Sequence, residues 1–197
     1  MTSEELAEQL RAERILAIVR ASSAEEAEQR AMAALEAGIH IIEVSWTTPE
    51  AGNVIKRLSG QVPVLGAGTV LTPSQAVASW EAGARFVVAP NWSPGVAAQA
   101  QEHGMAYVPG VFSAQEVGAA VEAGYRLLKL FPASTGGVAH MKALADPFPG
   151  LQWVPTGGVT WENAGEWIRA GAVAVGMGQH LWRTDRPAEV VKALRSI

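Results

Sequence analysis

Residues 122–132 read Glu-Ala-Gly-Tyr-Arg-Leu-Leu-Lys-Leu-Phe-Pro, and this stretch holds both the repeating unit of the chain and its most unusual side chain. Glu122-Ala123-Gly124 has the form of a helix ending. Glycine just past the last helical residue takes the left-handed conformation that caps a helix, and a short turn then feeds a strand. Leu127 to Phe131 is a short apolar run closed by Pro132, which favours a buried strand over a turn of helix. Side chains alternate across a strand, so Leu128 and Leu130 take one face while Leu127, Lys129 and Phe131 take the other. Lys129 is therefore expected to point at whatever the strand encloses.

Lysine is rarely buried unless something pairs with it or uses it. One reading of Lys129 is a strand-end lysine whose stem lies along apolar surface while its ammonium reaches water. The other is a desolvated amine with a depressed pKa, able to attack a carbonyl and form a Schiff base. The remainder of the chain decides between them.

The helix-end phrase recurs at 36–38 (Glu-Ala-Gly), 81–90 (EAGARFVVAP), 102–110 (EHGMAYVPG) and 169–178 (RAGAVAVGMG). Repetition at roughly 20 to 24 residues is a statement about the whole fold. A first helix is predicted over Ser3–Arg14, with Leu6 and Leu10 on one face and Ser3 as its cap. Strands are predicted at Ile15–Arg20, Ile39–Ser45, Val62–Gly66, Phe86–Ala89, Ala106–Val108, Leu127–Phe131, Gln152–Pro155 and Val173–Met177. Helices are predicted near 24–37, 49–59, 73–82, 94–103, 114–123, 137–145 and 161–170, and from Pro187 to Arg195. Eight strands alternating with eight helices predict a parallel sheet closed as a (β/α)8 TIM barrel, with an extra N-terminal helix, in a single domain over residues 1–197. The competing architecture is an open doubly wound sheet. It would normally carry a glycine-rich dinucleotide turn after its first strand, and Arg20-Ala21-Ser22-Ser23 is not one.

Nineteen acidic residues against 15 basic ones give a net charge of -4 without long runs of one sign, which argues against a nucleic-acid or anionic-membrane surface. The chain has no cysteine, so disulfides, thiolate metal sites and a cysteine nucleophile are excluded. Residues 1–14 are polar and charged, unlike a signal peptide, and no apolar run is long enough to span a bilayer. A cytoplasmic protein is the expectation.

In barrels of this kind the chemistry occurs at the C-terminal ends of the strands. Arg20 ends the first predicted strand, and Glu43 in the second shares a face with Ile41 and Ser45. The third runs into Gly66-Ala67-Gly68-Thr69, the fourth into Pro90-Asn91 and the fifth into Pro109-Gly110. The sixth carries Lys129 and Phe131, the seventh ends Pro155-Thr156-Gly157-Gly158 and the eighth Gly176-Met177-Gly178-Gln179. Glu43 and Lys129 are the two ionisable side chains embedded in apolar strands and are expected to face one enclosed volume. A buried pair can be a structural tie, but at the catalytic end of a barrel it points to chemistry. The glycines after strands seven and eight suit tight turns, and they also bare backbone N–H groups where barrels commonly bind phosphate. Thr69 can offer a hydroxyl and an N–H to a carboxylate, while Thr72, before Pro73, is the better helix cap. The histidines (His40, His103, His140, His180) and the two aspartates (Asp146, Asp185) do not converge on a strand end, so neither a metal nor any other cofactor is expected.

Seven stretches in order along the chain carry a resemblance: IIEVSWTTPE (41–50), VLGAGTVLTPSQ (64–75), FVVAPNWSP (86–94), YVPGVFSAQE (107–116), LLKLFPAS (127–134), VPTGGVTWEN (154–163) and AVGMGQHLWR (174–183). The chain resembles the class I pyruvate aldolases that cleave 2-keto-3-deoxy-6-phosphogluconate (KDPG) and 4-hydroxy-2-oxoglutarate (KHG). The resemblance implies a metal-independent carbon–carbon lyase that splits a 2-keto-4-hydroxy acid into pyruvate and an aldehyde, assembled as a homotrimer. It makes Lys129 the Schiff-base lysine and Glu43 the general acid/base. Thr69 and Arg20 would meet the carboxylate, Pro90 and Phe131 would line the pocket, and Thr156, Gly157 and Gly158 would face the distal phosphate or carboxylate. Two positions depart from the family pattern. Thr47 stands where many members carry an arginine that holds the carboxylate, and Gln179, after Gly178, stands where a phosphate-loop serine is common. On the residues alone, a phosphosugar isomerase or epimerase and a non-catalytic ligand-binding barrel remain as alternatives.

Overall fold

The structure is a computed structural model that describes residues 1–183 and 187–197; Asp185 lies outside the described residues. Helices and strands alternate as α1 (Ser3–Glu13), β1 (Ile15–Val19), α2 (Ala24–Glu36), β2 (Ile41–Ser45), α3 (Ala51–Leu58), β3 (Val64–Gly68), α4 (Pro73–Glu81) and β4 (Phe86–Val88). They continue as α5 (Pro94–Glu102), β5 (Ala106–Val108), β6 (Gly110–Val111), α6 (Ala114–Glu122), β7 (Leu127–Leu130), α7 (Ala133–Ala145) and β8 (Gln152–Pro155). The chain ends with α8 (Trp161–Arg169), β9 (Val175–Met177), a 3-10 turn at Gln179–Trp182 and α9 (Pro187–Arg195). Among the described residues no helix is long and apolar enough to cross a membrane.

The helix-end phrase behaves as its glycine requires. Gly124, at φ 93°, lies just beyond α6, and Tyr125 N–H then returns to the Ala120 carbonyl before the chain enters β7. At the helix starts, Thr72 caps α4 and Ser113 caps α6 with reciprocal capping boxes. The first helix differs in detail. Thr2 rather than Ser3 is its N-cap, paired with Glu5, and the Ser3 hydroxyl donates instead to the Tyr107 carbonyl.

The strands do not close into the expected eight-stranded (β/α)8 barrel. They form a six-stranded parallel sheet in the order β5-β4-β3-β2-β1-β9 and a separate three-stranded parallel sheet in the order β6-β7-β8. The fold is an α/β half-barrel. Two local causes divide the ladder. Pro109 has no N–H to donate and ends the predicted fifth strand, Ala106–Val108 (β5), after which an unpredicted short strand, Gly110–Val111 (β6), joins the other sheet. At the far side β8 meets the β9 segment only through the single bridges Trp153↔Ala172 and Thr156↔Gly176.

Alternation along the strands separates two packed layers. Leu128 and Leu130 join Ile42, Val44 and the helix faces in one cluster, while Leu127, Ile41, Phe86, Val108 and Val154 form an inner one. Leu6, Ala7 and Leu10 of α1 fill that inner cluster, and each of the two buried leucines contributes about 2 kcal/mol. Two boundary shifts matter for the site. β3 ends at Gly68 rather than Gly66, which aligns Gly68 with Ser45 across the β2–β3 ladder. The helix expected over 137–145 begins at Ala133 and is broken at Gly137, whose φ of 68° and ψ of -175° are not helical.

Candidate active site

Lys129 and Glu43 both lie on the inner faces of their strands, beside Leu127 and Ile41 of the same inner cluster, and both are buried, at 6% and 1% exposure. The Lys129 ammonium nitrogen sits 5.0 Å from the Phe131 ring centre. Burial draws the Lys129 amine below its ordinary pKa of 10.5; the nearby Glu43 carboxyl opposes that shift and Arg20 adds to it. Burial likewise lifts Glu43 above 4.5 against the pull of Lys129 and Arg20. Neither carboxyl oxygen of Glu43 has a hydrogen-bond partner among the described residues. Burial thus shifts both groups toward their uncharged forms, while their mutual attraction works against it.

Sheet register explains why glycines surround this pair. Glu43 is level with Gly66 and Ser45 with Gly68. A side chain at Gly68 would strike the Glu43 carboxyl, and one at Gly66 would strike the Phe86 ring. On the other sheet Lys129 pairs with Gly110 and Val154. A Cβ at Gly110 would stand 2.2 Å from the Pro90 carbonyl, so Pro90 closes against the backbone next to the lysine.

A polar cluster stands beside the carboxyl. Thr69 follows β3 at φ 55°, an unusual conformation for a β-branched residue. Its hydroxyl oxygen accepts from Ser45 Oγ at 2.9 Å and from Arg20 Nη2 at 3.4 Å. Thr47 is exposed, and its Oγ1 lies 2.8 Å from Ser45 Oγ. Ser45, fully buried, was not among the residues expected to bind substrate. Its place on the Glu43 face was legible in the alternation, but its meeting with Thr69 depends on sheet register.

The remaining candidates gather around the loop after β8. Phe131 contacts both ends of the site, since its ring lies by Lys129 and would be 3.1 Å from a Cβ at Gly157. Buried Thr156 accepts the Ala133 N–H through its carbonyl at 2.8 Å, and Gly157 accepts that of Ser134 at 2.9 Å. The start of α7 is thereby stitched to the glycine loop. Gly157 and Gly158 both hold positive φ, and the Thr156↔Gly176 bridge brings the segments after β8 and β9 side by side. Gly178 precedes the 3-10 turn and accepts the Leu181 N–H. Gln179 opens that turn with an exposed side chain, and no hydrogen bond among the described residues ties it to Gly157 or Gly158. Among the described residues no three His, Asp or Glu side chains converge as a metal site would require.

A family model described as KDPG and KHG aldolase matches residues 6–193. The 2-dehydro-3-deoxy-phosphogluconate aldolase of Treponema pallidum is 39% identical over 158 residues, covering 79% of this chain and 75% of that protein. The 2-dehydro-3-deoxy-6-phosphogalactonate aldolase of Escherichia coli is 35% identical over 179 residues, covering 89% and 87%. Among solved structures, the KDPG aldolase of Legionella pneumophila, with pyruvate captured as a covalent carbinolamine, superposes with a TM-score of 0.82 at 28% identity and covers 97% of both chains. The similarity runs from α1 into α9 and spans every strand that carries the buried lysine and its acid, and the chain belongs to the KDPG and KHG aldolase family.

Proposed function

We propose that the chain is a class I aldolase that reversibly cleaves a phosphorylated 2-keto-3-deoxy sugar acid of the KDPG type into pyruvate and glyceraldehyde 3-phosphate, with Lys129 as Schiff-base former and Glu43 as proton shuttle. The observation that carries this reading is the buried, hydrogen-bond-free Glu43 carboxyl beside a desolvated Lys129 amine. The neutral amine attacks the C2 ketone and forms a carbinolamine. Protonated Glu43 gives its proton to the departing hydroxyl, water leaves, and an iminium remains with Glu43 now ionised. The carboxylate then takes the C4 hydroxyl proton as the C3–C4 bond breaks, and the electron pair runs into the iminium to give an enamine. Glu43 returns the proton to C3, which restores the iminium; its carboxylate then takes a proton from the attacking water, and hydrolysis frees pyruvate and the neutral amine. A carboxyl group whose pKa is raised by burial suits the first transfer, and hydrolysis of the final iminium regenerates its protonated form.

The captured pyruvate adduct of the Legionella relative supports the covalent step. In this reading Thr69 and Arg20 meet the carboxylate, Pro90 and Phe131 line the pocket, and Thr156, Gly157, Gly158, Gly178 and Gln179 serve the phosphate. A homotrimer in the cytoplasm is the expected setting. Borohydride reduction in the presence of pyruvate tests the chemistry: a stable adduct mapping to Lys129 is expected, and its absence would favour an isomerase or a silent binding protein. Comparing condensation of pyruvate with glyoxylate and with glyceraldehyde 3-phosphate tests the substrate. Equal kcat/KM values for the two aldehydes would remove the phosphate assignment.

A further inference from the structure

Proton bookkeeping around Thr69 fixes a direction in the polar cluster. A hydroxyl has two acceptor lone pairs and one proton. Thr69 Oγ1 accepts from Ser45 Oγ at 2.9 Å and from Arg20 Nη2 at 3.4 Å, so both lone pairs are engaged. Its own proton has no acceptor among the described residues. Ser45 spends its only proton on Thr69, and the 2.8 Å contact between Ser45 Oγ and Thr47 Oγ1 must then run from Thr47 to Ser45. The Thr47 N–H, 3.4 Å from Ser45 Oγ, supports the same polarity from the backbone.

We infer that Thr47 and Ser45 are positioning residues: they form a one-way hydroxyl relay, Thr47 to Ser45 to Thr69, that presents the Thr69 O–H as a donor to the carboxylate of the keto acid. Each donor in such a chain polarises the next, and Arg20 strengthens the last member by donating to the same oxygen. Thr69 is held for this task, since its φ of 55° is one that a β-branched residue rarely adopts. Ser45 is fully buried and cannot exchange its partners for bulk water, whereas Thr47 is exposed and acts only through Ser45. Thr47 thus aids carboxylate binding without touching the substrate. The inference rests on the proposed aldolase reading, in which Thr69 meets the carboxylate.

The test uses the intact chain and three variants: Thr47→Val, which keeps the shape and removes the hydroxyl, Thr47→Ser, which keeps the hydroxyl, and Thr69→Val. Half-saturation for pyruvate is read by borohydride trapping and by KM in aldol condensation. Thr47→Val is expected to raise both about three- to tenfold with kcat little changed. Half-saturation for hydroxyacetone, a ketone without a carboxylate, should stay the same. Thr47→Ser should recover most of the loss. In a Thr69→Val background, Thr47→Val should add less than about 1.5-fold, because the relay then has no terminus. Wild-type protein that forms no adduct on Lys129 would overturn the aldolase reading and the relay with it. Trapped wild type with an unaltered Thr47→Val, with equal losses for pyruvate and hydroxyacetone, or with additive effects of Thr47→Val and Thr69→Val, would overturn the relay alone.

Discussion

The carboxyl group of Glu43 occupies the space that a side chain at Gly68 would need: a Cβ there would stand 2.3 Å from Glu43 Oε1 and 2.7 Å from its carboxyl carbon. The absence of a side chain on β3 is thus what lets an acid on β2 lie over its neighbour. Gly68→Ala must displace one of the two groups, and the carboxyl end of a flexible side chain yields before the sheet does. Turnover should fall by about 10²-fold or more, the scale of a lost general acid/base. The melting temperature should move by only a few degrees. Steady-state kinetics and thermal unfolding check this together; wild-type kcat in Gly68→Ala would mean that the position of Glu43 is immaterial.

Lys129→Met should separate stability from activity. A buried amine is costly to keep dry, and a methionine of similar reach fills the same apolar space beside Leu127 and Phe131. Cleavage and the borohydride adduct should vanish, while the melting temperature rises by about 2–4 °C for each kcal/mol gained. An undiminished rate in this variant would remove the Schiff base from the mechanism.

Burial lifts Glu43 above its ordinary 4.5, so the folded protein retains a proton that the unfolded chain releases. The stabilising contribution of that proton is complete below pH 4.5 and is lost as pH climbs through the raised value. Lys129 behaves in the opposite sense, because its folded pKa is depressed. Its contribution is complete above 10.5 and is lost as pH falls through the lowered value. Glu43→Gln removes the first dependence and, by removing the charge that opposes the Lys129 shift, deepens the second in the same direction. Melting curves taken from pH 4.5 upward should show the variant gaining on the wild type as the pH rises. A constant difference across that range would show that the carboxyl titrates as it does in water.

Much of the pairing at this site is legible in the sequence. Alternation alone put Lys129 with Phe131 and Glu43 with Ser45, because a strand has only two faces. Closure of the barrel was not legible. Whether strands five to nine share one ladder depends on the single missing N–H of Pro109 and on the brevity of β9, and hydrophobic pattern records neither. Ser45 went unassigned for a related reason. Its role comes from standing level with Gly68, one residue before Thr69, and that depends on how β2 and β3 pair, which the sequence pattern does not record.

Gly158 provides the sharpest test of the phosphate end. It holds φ 81°, and a Cβ there would lie 2.4 Å from Ser134 Cβ and 2.8 Å from its hydroxyl. Alanine is therefore strained twice, by its backbone and by its neighbour. The neighbour has little freedom to retreat, because Ser134 N–H is bonded to the Gly157 carbonyl and Ala133 N–H to that of Thr156. Gly158→Ala should destabilise the protein by about 1–3 kcal/mol. It should also push the loop away from the start of α7, raising KM for glyceraldehyde 3-phosphate well above any change for glyoxylate. Pyruvate trapping on Lys129 should be spared, since Lys129 and Glu43 lie on other strands. If both aldehydes lost affinity equally, the loop would be shaping the pocket as a whole and the phosphate would have to be held elsewhere.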